Sequence, residues 1–383
     1  MIYIVVTPFF PEPDSFRGPY IYDQVKAIMA SGRYERVIVC KPKPFYVKAE
    51  NYTYEGVDVY RFNTYELPSA ILPGVLDKLS VKSFLSLLKK LGVMVKDIAT
   101  IHTHVTGNGI YANALKKLNP NIKTILQHHG FDVLSITNGR FANYGWHKKY
   151  IVYYGSRICN KIDLHVVVSA KTLSYIQQYK EITLKESYIL YNGVDKTKFY
   201  KLNNPRADKI FKIGCVGNFW EIKCQIILIK AIELLIGRGE NNIYTSFIGT
   251  GYMMQECMDY VESHNMQKYI SFEKEVSHKE LNEYYNSLDL FVLPSYYEAF
   301  GCVYTEAYAC GVPFIAVDGQ GISELIFEKD RDKWLINKGN FVSLANKIES
   351  FKRDRYEQVL KTSIEINTLV IKFLDYIRVK AEI

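Results

Sequence analysis

The chain has 383 residues, of which 48% are hydrophobic and 23% charged, and its formal net charge is +8. This length suits two globular domains, and no apolar run reaches the ~18 residues that a membrane-spanning helix needs. The seven cysteines include no Cys-x-x-Cys pair, which disfavours a disulfide framework and a zinc site. The moderate positive charge favours acidic partners such as nucleotides, phosphorylated lipids or a membrane surface. Because Met1 is followed at once by apolar residues without a positive leader, we expect a first buried strand and a cytosolic protein.

The chain opens with the pattern of a βαβ unit: a buried strand over 1–7, a loop over 8–18, a helix over 20–30 and a strand over 36–40. In such folds the loop after the first strand faces the ligand. Gly18 is therefore a candidate for close backbone approach to a phosphate or an acceptor. The alternative is a simple helix N-terminus, with Pro19 in the first turn.

Two later segments combine basic and apolar or aromatic side chains. Residues 77–91 predict an amphipathic helix with lysines along one stripe, and residues 143–161 mix Tyr144 and Trp146 with lysines and arginine. Such surfaces suit anionic membranes or a polyprenyl-linked acceptor, although a merely solvated face is also compatible. Stacking on single-stranded nucleic acid is disfavoured, because the charge is modest and no nucleic-acid motif is visible.

A short strand over 124–128 ends in His128-His129-Gly130, and Asp132 follows two residues later. A histidine before a glycine can be a satisfied residue at a strand end, or it can face a ligand.

Residues 201–209 are polar and predict an interdomain linker, after which the βα pattern restarts. A strand over 211–216 leads into a glycine-bearing loop with Asn218 and Lys223, and then an apolar helix. This predicts a second loop that faces phosphate. The later run Gly249-Thr250-Gly251 lacks the third glycine of a dinucleotide fingerprint, because position 254 is Met.

The most informative stretch is Leu-Pro-Ser-Tyr-Tyr-Glu-Ala-Phe-Gly-Cys-Val-Tyr-Thr-Glu over 293–306. It predicts a strand end, a turn with Glu298, and a helix that begins near Gly301 and carries Glu306. A helix N-terminus binds anions, and the two carboxylates suit hydroxyl groups on either side of a diphosphate. The alternative is a purely structural role, in which one glutamate is solvated and the other caps the helix.

A glycine loop, Asp-Gly-Gln-Gly-Ile-Ser-Glu, follows over 318–324. Residues 330–332 read Asp-Arg-Asp, an Asp-x-Asp pattern that can bind a metal ion, but they lie in a charged stretch and predict solvated side chains. No metal is expected.

The spacing of Glu298 and Glu306, with Pro-Ser before and Phe-Gly between, resembles the paired-glutamate motif of retaining glycosyltransferases of family 4, also called glycosyl transferases group 1. The His-Gly-x-Asp block, the Asn192-Gly193-Val194-Asp195 block and the 318–324 loop resemble the same family in the same order. The resemblance implies an α/β fold of the GT-B type, with two Rossmann-like doubly wound domains facing each other across a cleft. We expect domains over 1–202 and 203–366, and a C-terminal helix over 367–383 that packs back on the first domain.

The resemblance also implies roles for individual residues. His129, Lys223, Glu298 and Glu306 would form the catalytic set: His129 and Glu298 facing the donor sugar, Glu306 its ribose and Lys223 its diphosphate. A second set, by the same resemblance, would contact the donor: Gly18, Asn218, Phe300, Gly301, Cys302 and Gly321. Asp132, Tyr144 and Trp146 would lie on the acceptor side.

Two positions depart from the family pattern. The family usually has two adjacent glycines where only Gly18 is present, and an arginine where Asn218 stands. An asparagine can donate to a phosphate oxygen, but it lacks the charge and the bidentate fork of arginine. The departure at Asn218 puts donor affinity in doubt.

The sequence therefore predicts a retaining glycosyltransferase that uses a UDP- or GDP-sugar as its donor substrate and has no tightly bound cofactor. The acceptor would be a glycan or a lipid-linked glycan of bacterial surface polysaccharide, such as capsule or O-antigen. We expect a cytoplasmic protein with contact to the inner face of the membrane and no nucleic-acid partner. The alternatives are a nucleotide-sugar epimerase on the same fold and a non-catalytic carbohydrate-binding or assembly protein.

Overall fold

A computed structural model describes residues 1–12, 18–68, 71–130, 144–203 and 209–379. The chain forms two compact units, one of residues 1–191 with 366–383 and the other of residues 192–365. We call them unit 1 and unit 2. Asp132, one of the predicted acceptor-side residues, lies outside the described residues.

Unit 1 is built on an eight-stranded sheet with the spatial order β3-β4-β2-β1-β5-β6-β7-β8. The strand pairs are parallel except for β3 with β4. The strands are β1 (Ile2–Val6), β2 (Arg36–Pro44), β3 (Tyr52–Tyr54), β4 (Val57–Thr64), β5 (Ile98–His104), β6 (Lys123–His128), β7 (Leu164–Val167) and β8 (Ser187–Ile189).

Helices cover both faces of this sheet. They are α1 (Pro19–Ala30), α2 (Asp77–Lys90), α3 (Gly109–Leu118), α4 (Gly145–Cys159), α5 (Ala170–Gln177) and α12 (Ile366–Val379). Because successive strand side chains point to opposite faces, Ile2 and Ile4 join the core under α2 and α3, whereas Tyr3 and Val5 join the core under α1 and α12. Both faces of β1 are therefore buried, which explains its continuous apolar sequence.

Unit 2 has a fully parallel six-stranded sheet with the order β11-β10-β9-β12-β13-β14. Its strands are β9 (Phe211–Val216), β10 (Ile243–Ile248), β11 (Ile270–Glu273), β12 (Leu290–Leu293), β13 (Phe314–Val317) and β14 (Leu335–Ile336). Its helices are α6 (Gln225–Gly237), α7 (Met254–Ser263), α8 (His278–Asn286), α9 (Cys302–Ala309), α10 (Arg331–Trp334) and α11 (Phe341–Asp354). Counted within the unit, this is the 3-2-1-4-5-6 order of a Rossmann domain.

The segment after residue 191 belongs to unit 2, because its backbone bonds there. Val194 N–H donates to the Ile364 carbonyl at 2.7 Å. Tyr200 N–H donates to Asn282 Oδ1 at 3.1 Å.

Each sheet has a switch point where the chain reverses its direction of growth. In unit 2 this point lies between the neighbouring strands β9 and β12. Open α/β sheets bind ligands beyond the carboxyl ends of the strands at such a point. The loops that follow β9 and β12 contain Asn218, Lys223 and Glu298, so the topology brings these predicted residues to one place.

Candidate functional site

The centre of the unit 2 site is an ion pair. Lys223 Nζ donates to Glu298 Oε2 at 2.6 Å, and the two side chains are only 19% and 14% exposed. Lys223 ends a short 3-10 turn, Glu221–Lys223, that follows β9, and Glu298 lies in the loop after β12. Each side chain of the pair neutralises the charge of the other, so an anion that binds to Lys223 must compete with Glu298 for the ammonium group.

Backbone hydrogen bonds hold the Glu298 loop from two sides. The Glu298 N–H donates to Gln320 Oε1 at 2.8 Å, and the Gly321 N–H donates to the Glu298 carbonyl at 3.1 Å. On the other side, Tyr296 N–H donates to the Ile222 carbonyl at 2.8 Å. The loop that carries Glu298 is thereby joined both to the glycine loop after β13 and to the turn that carries Lys223.

Helix α9 begins beside the Glu298 side chain. Gly301 is its N-cap, with φ of 90°, and a Cβ there would lie 2.9 Å from Glu298 Cγ. Only glycine adopts this conformation without strain and permits this approach. Cys302, the first helical residue, is partly exposed, whereas the Phe300 side chain is buried in the protein.

Glu306 lies one turn into α9 and accepts a hydrogen bond from the Tyr285 hydroxyl at 2.9 Å. Burial, together with the adjacent Glu306 carboxylate, raises the pKa of Tyr285 well above its ordinary value. Tyr285 therefore stays protonated and acts as a donor that fixes the position of the carboxylate.

Asn218 lies in the loop after β9, and the side chain of the buried Gln225 donates hydrogen bonds to the backbone of this loop. Gln225 Nε2 donates to the Asn218 carbonyl at 3.0 Å and to the Gly217 carbonyl at 3.3 Å. A Cβ on Gly249 would lie 2.2 Å from the Gly217 oxygen. The Gly-Thr-Gly run thus packs the β10 loop closely against the β9 loop.

Gly321→Ala is expected to destabilise unit 2 by about 2 kcal/mol, because the new Cβ would lie 1.9 Å from the Ala299 carbonyl oxygen and the loop backbone must move. Thermal unfolding followed by circular dichroism measures the change. The matched control is Gly237→Ala at the end of α6, where a Cβ meets nothing within 4 Å. Equal melting temperatures for Gly321→Ala and the parent protein would contradict the expectation.

In unit 1, Gly18 caps α1 with φ of 88°, and a Cβ there would lie 2.0 Å from the Phe9 carbonyl oxygen. The glycine is required by close packing within its own loop. A role toward a ligand stays a prediction.

Five histidines on or directly after β5, β6 and β7 form a group that we call the histidine cluster. His102, His104, His128 and His165 are buried, and His129, which directly follows β6, is partly exposed. His104 Nδ1 and His129 Nε2 are 2.9 Å apart with their rings stacked, and His128 Nε2 lies 3.0 Å from His165 Nδ1. Burial lowers the pKa of His129 to about 3, so it is neutral at pH 7. In that state it can orient a hydroxyl but carries no charge.

The predicted acceptor-side residues that the structure describes lie at the start of α4. Tyr144 is 56% exposed and Trp146 50% exposed.

Among the described residues, no group of three or more histidine, cysteine or acidic side chains could hold a metal ion. In the Asp330-Arg331-Asp332 stretch, Arg331 pairs with Asp318 and Asp330 with Lys333.

Sequence reasoning missed the residues that position the site: Tyr285, Gln225 and Gln320. It also missed the partners of His129. Gln320 lies inside the glycine loop over 318–324 that the sequence analysis identified, so this loop could have pointed to Gln320 as a site residue. The other residues occur in ordinary helix or strand patterns and carry no local signal.

Comparison with known proteins identifies first the class and then the family. Over 99% of this chain and 98% of the other, the fold matches sucrose-phosphate synthase from Thermosynechococcus elongatus with a TM-score of 0.75 at 19% identity. It matches Anabaena HepE in complex with UDP and glucose with a TM-score of 0.68 at 16% identity, over 98% and 99% of the two chains. These likenesses define a GT-B fold.

Two family profiles match successive parts of the chain. "Glycosyltransferase Family 4" matches residues 18–198, and "Glycosyl transferases group 1" matches residues 196–365. The chain therefore belongs to the GT-B glycosyltransferases of the group 1 and family 4 type, as the motifs predicted.

Curated relatives match at lower coverage. D-inositol 3-phosphate glycosyltransferase of Arthrobacter sp. is 31% identical over 36% of this chain and 35% of its own length. Staphylococcus aureus CapM, a capsular polysaccharide biosynthesis glycosyltransferase, is 26% identical over 54% and 57%. Escherichia coli UDP-Gal:alpha-D-GlcNAc-diphosphoundecaprenol alpha-1,3-galactosyltransferase is 25% identical over 73% and 72%. The first relatives are thus matched over about a third to somewhat more than half of their length.

Proposed function

We propose that this protein is a retaining glycosyltransferase that moves a sugar from a nucleoside-diphosphate donor to a hydroxyl group of a glycan acceptor. The observation that carries the proposal is the convergence of Lys223, Glu298, Gly301 and Gly321 beyond the carboxyl ends of β9 and β12. A cation beside a helix N-terminus suits a diphosphate. The flanking carboxylates suit the hydroxyl groups of a sugar and a ribose.

The proposed mechanism assigns a role to each side chain. When the donor binds, its diphosphate replaces Glu298 as the ion-pair partner of Lys223. The released Glu298 carboxylate then accepts hydrogen bonds from hydroxyl groups of the donor sugar. Lys223 and the amides near Gly301 and Gly321 stabilise the charge that develops on the leaving diphosphate. Glu306, held by Tyr285, accepts from the ribose hydroxyls.

No protein nucleophile is assigned. The acceptor hydroxyl attacks the anomeric carbon on the face from which the diphosphate leaves, and a phosphate oxygen takes its proton. Neutral His129 orients the sugar.

We take a UDP-sugar as the first donor to test, since the Escherichia coli relative is named for UDP-Gal and HepE was solved with UDP-glucose. A lipid-linked acceptor is supported by the diphosphoundecaprenol substrate in that relative's name. A surface-polysaccharide glycan is supported by the capsular polysaccharide biosynthesis in the name of CapM. Within the described ranges, no helix combines the length and the apolar character needed to cross a bilayer.

The test is a thermal-shift panel with UDP, GDP, ADP and NAD on the purified protein. A ligand that binds only the folded state raises the free energy of unfolding, by about 2.7 kcal/mol when its concentration is 100 times its Kd. The melting temperature rises accordingly. UDP or GDP is expected to stabilise the protein selectively. No shift with any nucleotide at millimolar concentration would contradict the proposal and favour a non-catalytic carbohydrate-binding protein.

Product analysis separates the transferase from an epimerase. With UDP-sugar and acceptor, the transferase forms a glycoside and releases UDP in equal amounts. An epimerase converts the donor to its isomer without any acceptor.

A further inference from the structure

A tight turn at the end of β2 presents two large aromatic side chains to solvent. The strand ends at Pro44, and the chain turns through Phe45 and Tyr46 to Val47, whose N–H donates to the Pro44 carbonyl at 3.0 Å. Phe45 is 53% exposed and Tyr46 is 75% exposed. Turns of this kind usually carry Gly, Pro, Asn, Asp or Ser. The fold therefore gives no reason for two aromatic rings at this place, and such a departure from local rules is typical of a functional surface.

Hydrogen bonds fix the backbone of this turn. The Phe45 N–H donates to the Thr64 carbonyl at 3.1 Å, so the turn continues the pairing of β2 with β4. On its other side, Lys43 Nζ donates to the Val47 carbonyl at 2.7 Å. The two rings are thus held on an ordered backbone before any ligand binds, which lowers the entropic cost of binding.

A third ring extends this surface onto β4. Tyr65, the residue after β4, stacks on Phe45 with ring centroids 5.2 Å apart and planes at 12°. Tyr46 stands at 84° to Phe45, with centroids 5.4 Å apart. The Tyr65 N–H donates to Ser80 Oγ on α2 at 2.9 Å, which fixes the backbone of the third residue. We call Phe45, Tyr46 and Tyr65 the aromatic platform.

The aromatic platform lies at the edge of unit 1 where ligands are expected. Strands β1, β2, β4 and β5 are parallel, so their carboxyl ends share one edge, and the switch point of this sheet lies between β1 and β5. The last pair between β1 and β2 joins Val6 and Cys40, and β2 continues to Pro44. From strand spacing and rise, the platform lies about 5–10 Å to one side of the end of β1 and about 15 Å beyond it. It is therefore near the switch point but outside it.

The surroundings of the aromatic platform favour a neutral sugar as its ligand. Lys48 and Glu66 lie next to the platform in sequence and are both exposed, so the charges beside the rings are mixed. A surface for an anionic bilayer would instead carry a surplus of cations. One face of a hexose ring is lined by C–H groups and packs on an aromatic ring, while the hydroxyl groups at its rim bond to polar groups. Tyr46 and Tyr65 each supply both a ring and a hydroxyl group.

We propose that the aromatic platform binds sugars of the glycan acceptor that lie beyond the sugar with the reacting hydroxyl group. One such sugar packs on the exposed part of Phe45, with Tyr46 as a wall beside it. The proposal rests on the proposed function, which assigns the donor diphosphate to Lys223 in unit 2 and so leaves this edge of unit 1 to the acceptor. It adds that the acceptor is an oligosaccharide, because a single sugar at the switch point would not extend to the platform.

The experiment measures binding of the fluorescently labelled full-length protein to an array of immobilised oligosaccharides and their constituent monosaccharides. The parent protein is expected to bind oligosaccharides and not the monosaccharides. Phe45→Ala and Tyr46→Ala should each weaken this binding by about tenfold or more, because loss of an aromatic side chain at the centre of a contact commonly has an effect of this size. Tyr46→Phe keeps the ring and should keep most of the binding.

The matched control is Tyr153→Ala, which removes another exposed aromatic side chain of unit 1. Tyr153 is 55% exposed on α4 and lines a cavity of about 510 Å³ between α2, α3 and α4, where the basic segments 77–91 and 143–161 meet. This variant should bind the glycans as the parent protein does. Equal losses in Tyr153→Ala and Phe45→Ala would overturn the proposal. Parent-like binding by Phe45→Ala, or failure of the parent protein to bind any oligosaccharide, would overturn it as well.

Kinetics with the oligosaccharide that binds best on the array locate the contact within the acceptor. Phe45→Ala should raise KM for this oligosaccharide about tenfold, with kcat unchanged and KM for the matching monosaccharide unchanged. An equal rise in KM for both acceptors would overturn the assignment to distant sugars. Flotation of the parent protein with phosphatidylcholine vesicles that Phe45→Ala abolishes, without binding to array glycans, would indicate a lipid surface and overturn the proposal.

The UDP thermal shift reports unit 2 and separates this inference from the proposed function. It should be the same in all of these variants, which also verifies that they fold. UDP binding without glycan binding contradicts only the present inference, whereas glycan binding without nucleotide binding contradicts only the proposed function.

Discussion

Lys223→Ala is expected to lower kcat/KM for sugar transfer by about 100- to 1000-fold. Removing one group that stabilises the charge of a transition state usually has an effect of this size. Lys223 Nζ lies 2.6 Å from Glu298 Oε2 at the switch point of unit 2. In the proposed mechanism this ammonium group would instead contact the leaving diphosphate. The variant should also lose most of the stabilisation by UDP, since the same cation contacts the diphosphate in the ground state.

Two controls give this result its meaning. Lys230→Ala removes a lysine of the neighbouring helix α6 whose ammonium lies over the Tyr260 ring, and it should leave turnover unchanged. Glu298→Gln keeps the shape of the loop but removes the carboxylate that competes for Lys223, so UDP binding should persist while sugar transfer falls. Unchanged turnover in Lys223→Ala would contradict the assignment of the site.

Acidification from pH 7.5 to 5.5 is expected to lower the melting temperature of unit 1 by about 10 °C. Burial lowers the pKa of His102 and His129 to about 3 and that of His165 to about 4. The pKa values of His104 and His128 also lie well below the ordinary value, for the same reason. The folded unit therefore keeps these side chains neutral at a pH where the unfolded chain takes up protons.

The direction and size of the effect follow from proton linkage. An unfolded histidine has a pKa near 6.5, so the contribution of these groups is fully present above that pH and is lost as the pH falls toward the folded values. Each histidine contributes about 1.4 kcal/mol per pH unit below 6.5. His102, His129 and His165 alone thus lower the free energy of unfolding by about 4 kcal/mol at pH 5.5, a large part of a typical domain's stability.

Tryptophan fluorescence can assign the effect to unit 1. Trp146 lies in unit 1, whereas Trp220 and Trp334 lie in unit 2. Thermal melts of variants that each keep a single tryptophan should show the pH dependence at Trp146. His102→Asn keeps an acceptor near the Tyr3 hydroxyl and should reduce the pH dependence of the free energy of unfolding by about one proton. His264→Asn, at an exposed site, should leave that pH dependence unchanged. Equal melting temperatures at pH 7.5 and 5.5 would contradict the expectation.

Local pattern predicted much of the fold, because helix and strand periods are properties of short segments. The helix expected over 77–91 is observed at Asp77–Lys90, and the strand expected over 211–216 at Phe211–Val216. The spacing of Glu298 and Glu306 around Gly301 likewise follows from one strand–turn–helix unit. The family resemblance predicted the GT-B class, and the fold and family comparisons confirm it.

Positions that depend on strand order could not be read from such patterns. Lys223 and Glu298 are 75 residues apart in the chain, and they meet because β12 lies beside β9 rather than beside β11. The contact of Gln320 with the Glu298 loop has the same origin. A periodicity shows which face of an element is buried but not which other element covers it.

The sequence by itself determined the class of fold and the order of its elements, because motifs and local spacing specify them, and it led to the proposal of which residues carry the chemistry. Only the tertiary structure decided that Lys223 is paired with Glu298, that His129 stacks on His104 in the histidine cluster, and that two basic segments share one cavity. Each of these results is a contact between elements distant in the chain, set by which strands pair and which helices pack on the same face of a sheet.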